Sequence, residues 1–204
     1  MLNALLNGLD LAAIVSFDSG QILSLAELKR DTVNKVKGNN QIVSFTLSKK
    51  IRTNREIAAF ISGLFDLNKI NRNFEYTNIE ILYSSCREVT QCMIKQYNSM
   101  GYIYINHTPS SYYHGSFDSL PQTINSHHVI GLEFDNVLVV INNDFFYQDS
   151  RLNAIKHPNP NYIYTQLLYQ EVTRVRERLC VIVEENLLLL REIMKIFPEK
   201  SKSN

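Results

Sequence analysis

Two uninterrupted apolar runs, Val137-Leu138-Val139-Val140-Ile141 and Leu179-Cys180-Val181-Ile182-Val183, constrain the fold of this chain more than any other feature. Runs of this kind, rich in β-branched residues and without polar alternation, suit strands covered on both faces, as in the middle of a parallel sheet. A polar cluster precedes each of them. Ser126-His127-His128-Val129-Ile130-Gly131-Leu132-Glu133-Phe134-Asp135 leads into the first, and Tyr169-Gln170-Glu171-Val172-Thr173-Arg174-Val175-Arg176 into the second. Polar groups at the mouth of a parallel sheet are where α/β proteins bind phosphates and run chemistry.

Elsewhere, shorter strands expected at Ala12–Phe17, Ile42–Leu47, Asn78–Tyr83 and Tyr102–Ile105 alternate with helical patterns. Ser24 and Glu27 have the spacing of a capping box at the start of a short helix. A helix from Asn54 through Phe65 sets Ile57, Phe60, Ile61 and Leu64 on one face. Another runs from Arg87 to about Ser99, with Ser84-Ser85 as candidate caps and Met100-Gly101 as its stop. Asn161–Arg178 reads as a helix, and Asn186–Ile196 as a last one ending before Pro198. His107–Asn125 and Asn143–Tyr162 show no clear period and are expected to be irregular. His157-Pro158-Asn159-Pro160-Asn161 favours turns. Alternating strands and helices predict an α/β fold: a largely parallel sheet with helices on both faces.

Composition narrows the function classes. With 45% hydrophobic and 20% charged residues, the 204-residue chain is ordinary for a globular protein with a real core. A net charge of +1 does not announce a nucleic-acid binder, although one groove could still collect lysines and arginines. No run approaches the roughly 18 apolar residues of a membrane span, so no membrane partner is expected. Met1–Ile14 is apolar but has no basic leader, and it reads as a helix-to-strand element rather than a signal peptide. Cys86, Cys92 and Cys180 lack paired metal spacing and are odd in number; a buried free thiol at Cys180 and a cytoplasmic location are expected.

In the first polar cluster, Gly131 permits a backbone conformation or a close approach that a side chain would block. Glu133, just ahead of a strand, could accept a hydrogen bond from a ribose hydroxyl, or it could be a loop acid facing water. His127-His128 is a poor metal pair, because neighbouring side chains on a strand point to opposite faces and no acid or cysteine cluster supports them. In the second cluster, Arg174, Arg176 and Arg178 crowd one helix end. Guanidinium forks match phosphate oxygens and stabilise charge in phosphoryl transfer. The same arginines could also form a solvated face partnered by Glu171 and Glu177.

The segment His127 through Gly131-Leu132-Glu133-Phe134 resembles the helicase motif that begins near a histidine and runs through Gly-Leu-Glu-Phe into a strand. Tyr169-Gln170-x-x-Thr173-Arg174-x-Arg176 followed by an apolar strand resembles the final motif of superfamily-one, UvrD-like or viral-type helicases. Two upstream matches keep the family's order: Asp18-Ser19-Gly20-Gln21 is similar to the Asp-x-x-Gln motif closing the first motor lobe, and Ile51-Arg52-Thr53-Asn54 to the segment opening the second. The resemblance implies a RecA-like second lobe. Arg174, Arg52 and Gln21 would be the catalytic residues, with Arg174 and Gln21 at the γ-phosphate of ATP and Arg52 contacting the nucleotide. Gly131, Glu133 and Arg176 would line the nucleotide, and His127 and Thr173 would touch single-stranded DNA or RNA. Many members carry lysine directly before the glycine where this chain has Ile130, so that lysine's phosphate contact has no counterpart here.

A self-sufficient helicase also needs Gly-x-x-x-x-Gly-Lys-Ser/Thr and a following acidic pair for Mg²⁺. Neither occurs in these 204 residues; Lys49-Lys50 has no glycine-rich loop before it. The expectation is therefore a lobe that is silent alone. It would complete an ATP site whose Mg²⁺ and phosphate loop belong to a first RecA-like lobe in cis or in trans. Residues 1–40 would be the tail of that first lobe or an N-terminal extension, 41–198 the second lobe, and 199–204 a disordered tail. Glu133 and Arg174 would line one cleft edge and aim outward. The alternative is a non-catalytic interaction module on the same fold, using the aromatic runs Tyr112-Tyr113-His114 and Phe145-Phe146-Tyr147.

Overall fold

A computed structural model describes residues 22–31, 34, 54–107, 123–156 and 161–198. The helices are α1 (Leu25–Arg30), α2 (Arg55–Phe65), α3 (Arg87–Ser99), α4 (Tyr164–Val172) and α5 (Leu187–Met194). The strands are β1 (Ile79–Ser84), β2 (Ile103–Asn106), β3 (Thr123–Asn125), β4 (Phe134–Ile141), β5 (Phe145–Gln148), β6 (Arg151–Ala154) and β7 (Val175–Glu184). Five of them form one parallel sheet in the order β1-β7-β4-β2-β3, and β5 and β6 pair separately as an antiparallel hairpin. The expected strands at Ala12–Phe17 and Ile42–Leu47, the residues Gln21 and Arg52, the run Tyr112-Tyr113-His114, the turns at His157–Pro160 and the tail 199–204 lie outside the described residues.

The two apolar runs take inner positions in the sheet, β4 and β7, and the packing explains why neither alternates. Val137, Val139, Ile141, Leu179, Val181 and Val183 face a core shared with Phe60 and Leu64 of α2, Leu167 and Leu168 of α4, and Ile193 of α5. Leu138, Val140, Cys180 and Ile182 face the other way, against Ile94 and Tyr97 of α3. With helices on both faces, every position of the runs Val137–Ile141 and Leu179–Val183 is buried. A fully covered side chain such as Phe60 contributes about 1.5–3 kcal/mol. The α/β class is as expected, and the all-parallel main sheet is what a RecA-like lobe requires.

Helix entry is set locally. The Asn54 side chain accepts the Glu56 amide at the start of α2. Glu56 in turn accepts the backbone and side-chain N–H groups of Asn78 at 2.9 and 3.0 Å, tying α2 to the start of β1. Ser24 and Glu27 form the expected capping box. Leu23 is buried, and its carbonyl accepts the Ile163 amide at 2.9 Å. The candidate caps of α3 behave differently: its N-cap is Cys86, with no side-chain capping bond. Ser84 instead donates to the Cys86 carbonyl at 2.7 Å and accepts from Thr90 at 2.8 Å.

Three expectations about secondary structure need correction. The helix expected over Asn161–Arg178 ends at Val172, and Val175–Glu184 is a strand. Val172, Val175 and Leu179 fall at i, i+3 and i+7 and so mimic a helical stripe. Strand pairing overrides that local pattern, because Phe134 of β4 pairs with Val175. The supposed loop His107–Asn125 ends in the edge strand β3. The supposed irregular stretch Asn143–Tyr162 contains the β5–β6 hairpin, whose two turn residues Asp149 and Ser150 both have positive φ (50° and 63°). That is the backbone twist of a tight hairpin, reached here without the glycine that usually signals it.

Candidate functional site

The two polar clusters meet at the amino ends of β4 and β7. Phe134 pairs with Val175, and the Phe134 amide donates to the Arg174 carbonyl at 2.9 Å. One residue earlier on each strand, Glu133 and Arg174 therefore stand level with each other. Gly131 sits on the exposed approach to β4 with φ of +82°, and a Cβ added there would meet nothing within 4 Å. Of the two reasons for a glycine, the structure selects backbone conformation over close approach. Its neighbours Ile130 and Leu132 are each 45% exposed.

The register sets Arg174 level with Glu133, but its side chain does not project outward as expected. It is only 6% exposed. The guanidinium folds back over the end of α4, where Nε donates to the Gln170 carbonyl at 3.2 Å and Nη2 to Thr173 Oγ1 at 3.4 Å. Nη1 reaches the Leu132 carbonyl at 3.5 Å, joining the two clusters side chain to backbone. The last turn of a helix leaves carbonyls unpaired and carries partial negative charge, so a cation is well placed there. Thr173 caps the same turn by donating to the Tyr169 carbonyl at 2.8 Å.

Arg176 and Arg178 are exposed residues of β7 and do not continue α4. Arg176 lies 3.7 Å from Asp135, with the two side chains 57% and 60% exposed. An ion pair so open to water contributes about 0–1 kcal/mol. The expected partners Glu171 and Glu177 do not fill that place. His127 lies in the turns after β3, and its ring meets Tyr162 edge-on with centroids 5.0 Å apart. Burial holds its pKa below the usual histidine value; His128 adds to this and Glu27 opposes it.

Sequence reasoning missed a buried polar cluster behind this edge. Glu171 is fully buried on α4. Its Oε1 accepts from Ser126 Oγ at 2.5 Å and lies 2.6 Å from Nδ1 of the buried His107. Ser126 also gives its amide to the Asn106 carbonyl at 3.0 Å. The His107 ring stacks on Tyr164 and meets Phe145 edge-on. One signal was present in the sequence: Tyr164, Leu167, Leu168 and Glu171 fall at i, i+3, i+4 and i+7, placing a carboxyl group on the apolar stripe of α4. Such a group is kept inside only by polar partners.

Among the described residues, no group of three or more His, Cys, Asp or Glu could hold a metal ion, His127-His128 included. The Cys180 thiol is buried, and burial together with Glu80 pushes its pKa up, which leaves it inert. Of the aromatic run, Phe145 is buried and the Tyr147 hydroxyl donates to the Leu64 carbonyl at 2.7 Å, so these two anchor the hairpin and Phe146 alone is exposed. Among the described residues no helix is long and apolar enough to cross a membrane. Comparison with protein-family models and with curated proteins gives no match.

Proposed function

We propose that the chain is the second motor lobe of a superfamily-one type helicase, supplying arginines to an ATP site and gripping single-stranded DNA or RNA. In this reading a first RecA-like lobe, in cis or in trans, holds the phosphate loop and the Mg²⁺. Arg174 reaches the γ-phosphate, and Glu133 takes the ribose while Arg176 and the Gly131 turn line the nucleotide. His127 and Thr173 contact the strand, and Arg52 and Gln21 add further phosphate contacts. The observation that carries the proposal is the pairing of Phe134 with Val175, which sets Glu133 level with Arg174 just ahead of two neighbouring inner strands. Two motifs separated by some 40 residues of intervening chain gain a common edge only through that register.

The test has two arms. The chain alone should hydrolyse no ATP, and hydrolysis should appear with an added phosphate-loop lobe and depend on Arg174. Binding to a single-stranded oligonucleotide should weaken linearly on a log–log plot against salt, because neutralised phosphates release counterions. Salt-independent binding, or none, would count against the motor-lobe reading. A second reading, a non-catalytic interaction module, draws on the exposed Leu187, Leu188 and Met194 of α5. Tight binding of a protein partner without affinity for nucleic acid would favour it.

A further inference from the structure

The turns from Ser126 to Gly131 carry three exposed residues of the first cluster, His128, Ile130 and Gly131, and the end of α4 with the residues just after it grips this segment at two points. At the far end, Arg174 Nη1 reaches the Leu132 carbonyl at 3.5 Å. At the near end, Glu171 Oε1 takes the Ser126 hydroxyl at 2.5 Å. Ser126 has one hydroxyl proton. Its other acceptor, the Asn106 carbonyl, lies at 3.1 Å and already receives the Ser126 amide, so the proton belongs to Glu171. Between the two grips, Val129 is buried in the core and Asn125 Oδ1 accepts the amides of His127 and His128. The grips differ in strength. The Glu171 contact is short, buried and joined by His107, whereas the Arg174 contact is at the limit of a hydrogen bond.

We infer that Glu171 is a positioning residue: it holds the Ser126–Gly131 turns against α4 so that the Gly131 approach and Arg174 act as one phosphate-facing surface. The functional half of this rests on the motor-lobe reading; the tether itself does not. Its consequence follows from the difference between the grips. An arginine drawn away toward a phosphate releases the Leu132 carbonyl, and the turns then keep their place through Glu171 and the buried Val129. A carboxyl group enclosed on the apolar stripe of a helix is costly unless partnered. Its partners here belong to two other segments, His107 after β2 and Ser126 after β3. The cluster thus fixes where three segments meet.

The experiment uses the full chain. Ser126→Ala removes only the hydroxyl, and Glu171→Gln keeps the shape and one acceptor oxygen. Hydrogen exchange of the amides from His127 to Leu132 is measured beside that of β1, α3 and β7, together with the affinity for a twenty-nucleotide oligothymidylate. Losing a buried hydrogen bond to a carboxylate should speed exchange in the turns by about tenfold or more. Exchange in β1, α3 and β7 should stay as in the parent, and oligonucleotide affinity should fall by about tenfold. Adding Ser126→Ala to Glu171→Gln should cost less than the two single effects combined, since both act on one contact, which Ser126→Ala removes and Glu171→Gln weakens. Unchanged exchange in the turns of folded Ser126→Ala protein overturns the inference. So does acceleration by one common factor throughout the chain, which would mean general loss of stability. If parent protein ignores the oligonucleotide while Ser126→Ala still loosens the turns, the tether stands and the motor-lobe reading falls.

Discussion

Arg174→Ala separates a catalytic arginine from a structural one, because the hydrogen bonds at the end of α4 set the scale of the second contribution. The substitution removes a nearly buried guanidinium with bonds to the Gln170 carbonyl, Thr173 Oγ1 and the Leu132 carbonyl at 3.2, 3.4 and 3.5 Å. Hydrogen bonds from a charged donor contribute about 1.5–3 kcal/mol at good geometry. Only the first of these lies near the usual 2.7–3.2 Å range for N–H···O. A total destabilisation of about 2–3 kcal/mol follows. With an m-value of about 1–3 kcal/mol per molar urea, the unfolding midpoint should drop by about 1–2 M.

Even a domain at the low end of natural stability, about 5 kcal/mol, would keep about 2 kcal/mol and remain more than about nine-tenths folded. An arginine that completes a phosphoryl-transfer site is worth about 10³–10⁵ in turnover, or about 4–7 kcal/mol. Unfolding cannot imitate a loss of that size. The assay is ATP hydrolysis by the chain with a phosphate-loop lobe and single-stranded DNA, with the urea midpoint taken on the same samples. Arg174→Lys keeps the charge but lacks the planar fork, so it should recover only a small fraction of the activity. A loss below tenfold, or one that simply follows the unfolded fraction, would refute the assignment of Arg174.

Other expectations follow from the same geometry. Gly131→Ala should cost about 1–2 kcal/mol through positive φ alone, read as a lower urea midpoint; an unchanged midpoint would remove the conformational argument. His127 has a folded pKa below its usual value, chiefly through burial, so the unfolded chain binds more protons between that folded value and about 6.5. Stability should be full above about pH 6.5 and decline as pH falls through the folded value; His127→Gln should flatten that slope, and a slope like the parent's would assign it to another group. Arg176→Ala should shift stability by no more than about 0.5 kcal/mol, yet reduce the salt slope of oligonucleotide binding by about 1 if the side chain meets a phosphate. The chain alone should bind ATP no more tightly than about millimolar by calorimetry; micromolar binding would argue for a complete nucleotide site.

The parts of the fold legible in the sequence were those where local pattern and tertiary environment agree. The apolar runs of β4 and β7 admit one reading, and Ile57, Phe60, Ile61 and Leu64 mark a helix whose stripe is indeed buried. The errors came where a segment's environment is not local. Val175–Arg178 carries three consecutive exposed residues and a helical-looking apolar spacing, and only the neighbouring Phe134–Asn136 segment makes it a strand. The Asp149-Ser150 turn lacks the glycine that announces a hairpin. At the candidate site, Glu133 and Arg174 come from two separate sequence motifs and are set level by register. Glu171 was read as an ion-pair partner for arginines, because its real partners, His107 and Ser126, are 64 and 45 positions away along the chain.

The placement of this edge also bears on what it can bind alone. Open α/β sheets ordinarily take ligands at the carboxyl ends of their strands, where loops and helix starts converge. The two polar clusters here stand at the amino ends of β4 and β7. An amino end could still offer backbone N–H donors to an anion, but the Phe134 amide is spent on the Arg174 carbonyl at 2.9 Å. What such an edge can present is chiefly guanidinium groups, and Arg174 must first leave the end of α4 to do so. A triphosphate needs many donors and a cation at once. On the motor-lobe proposal, an edge built this way would complete a phosphate site held from the opposite side of a cleft, and the same arrangement predicts weak binding by the lone chain.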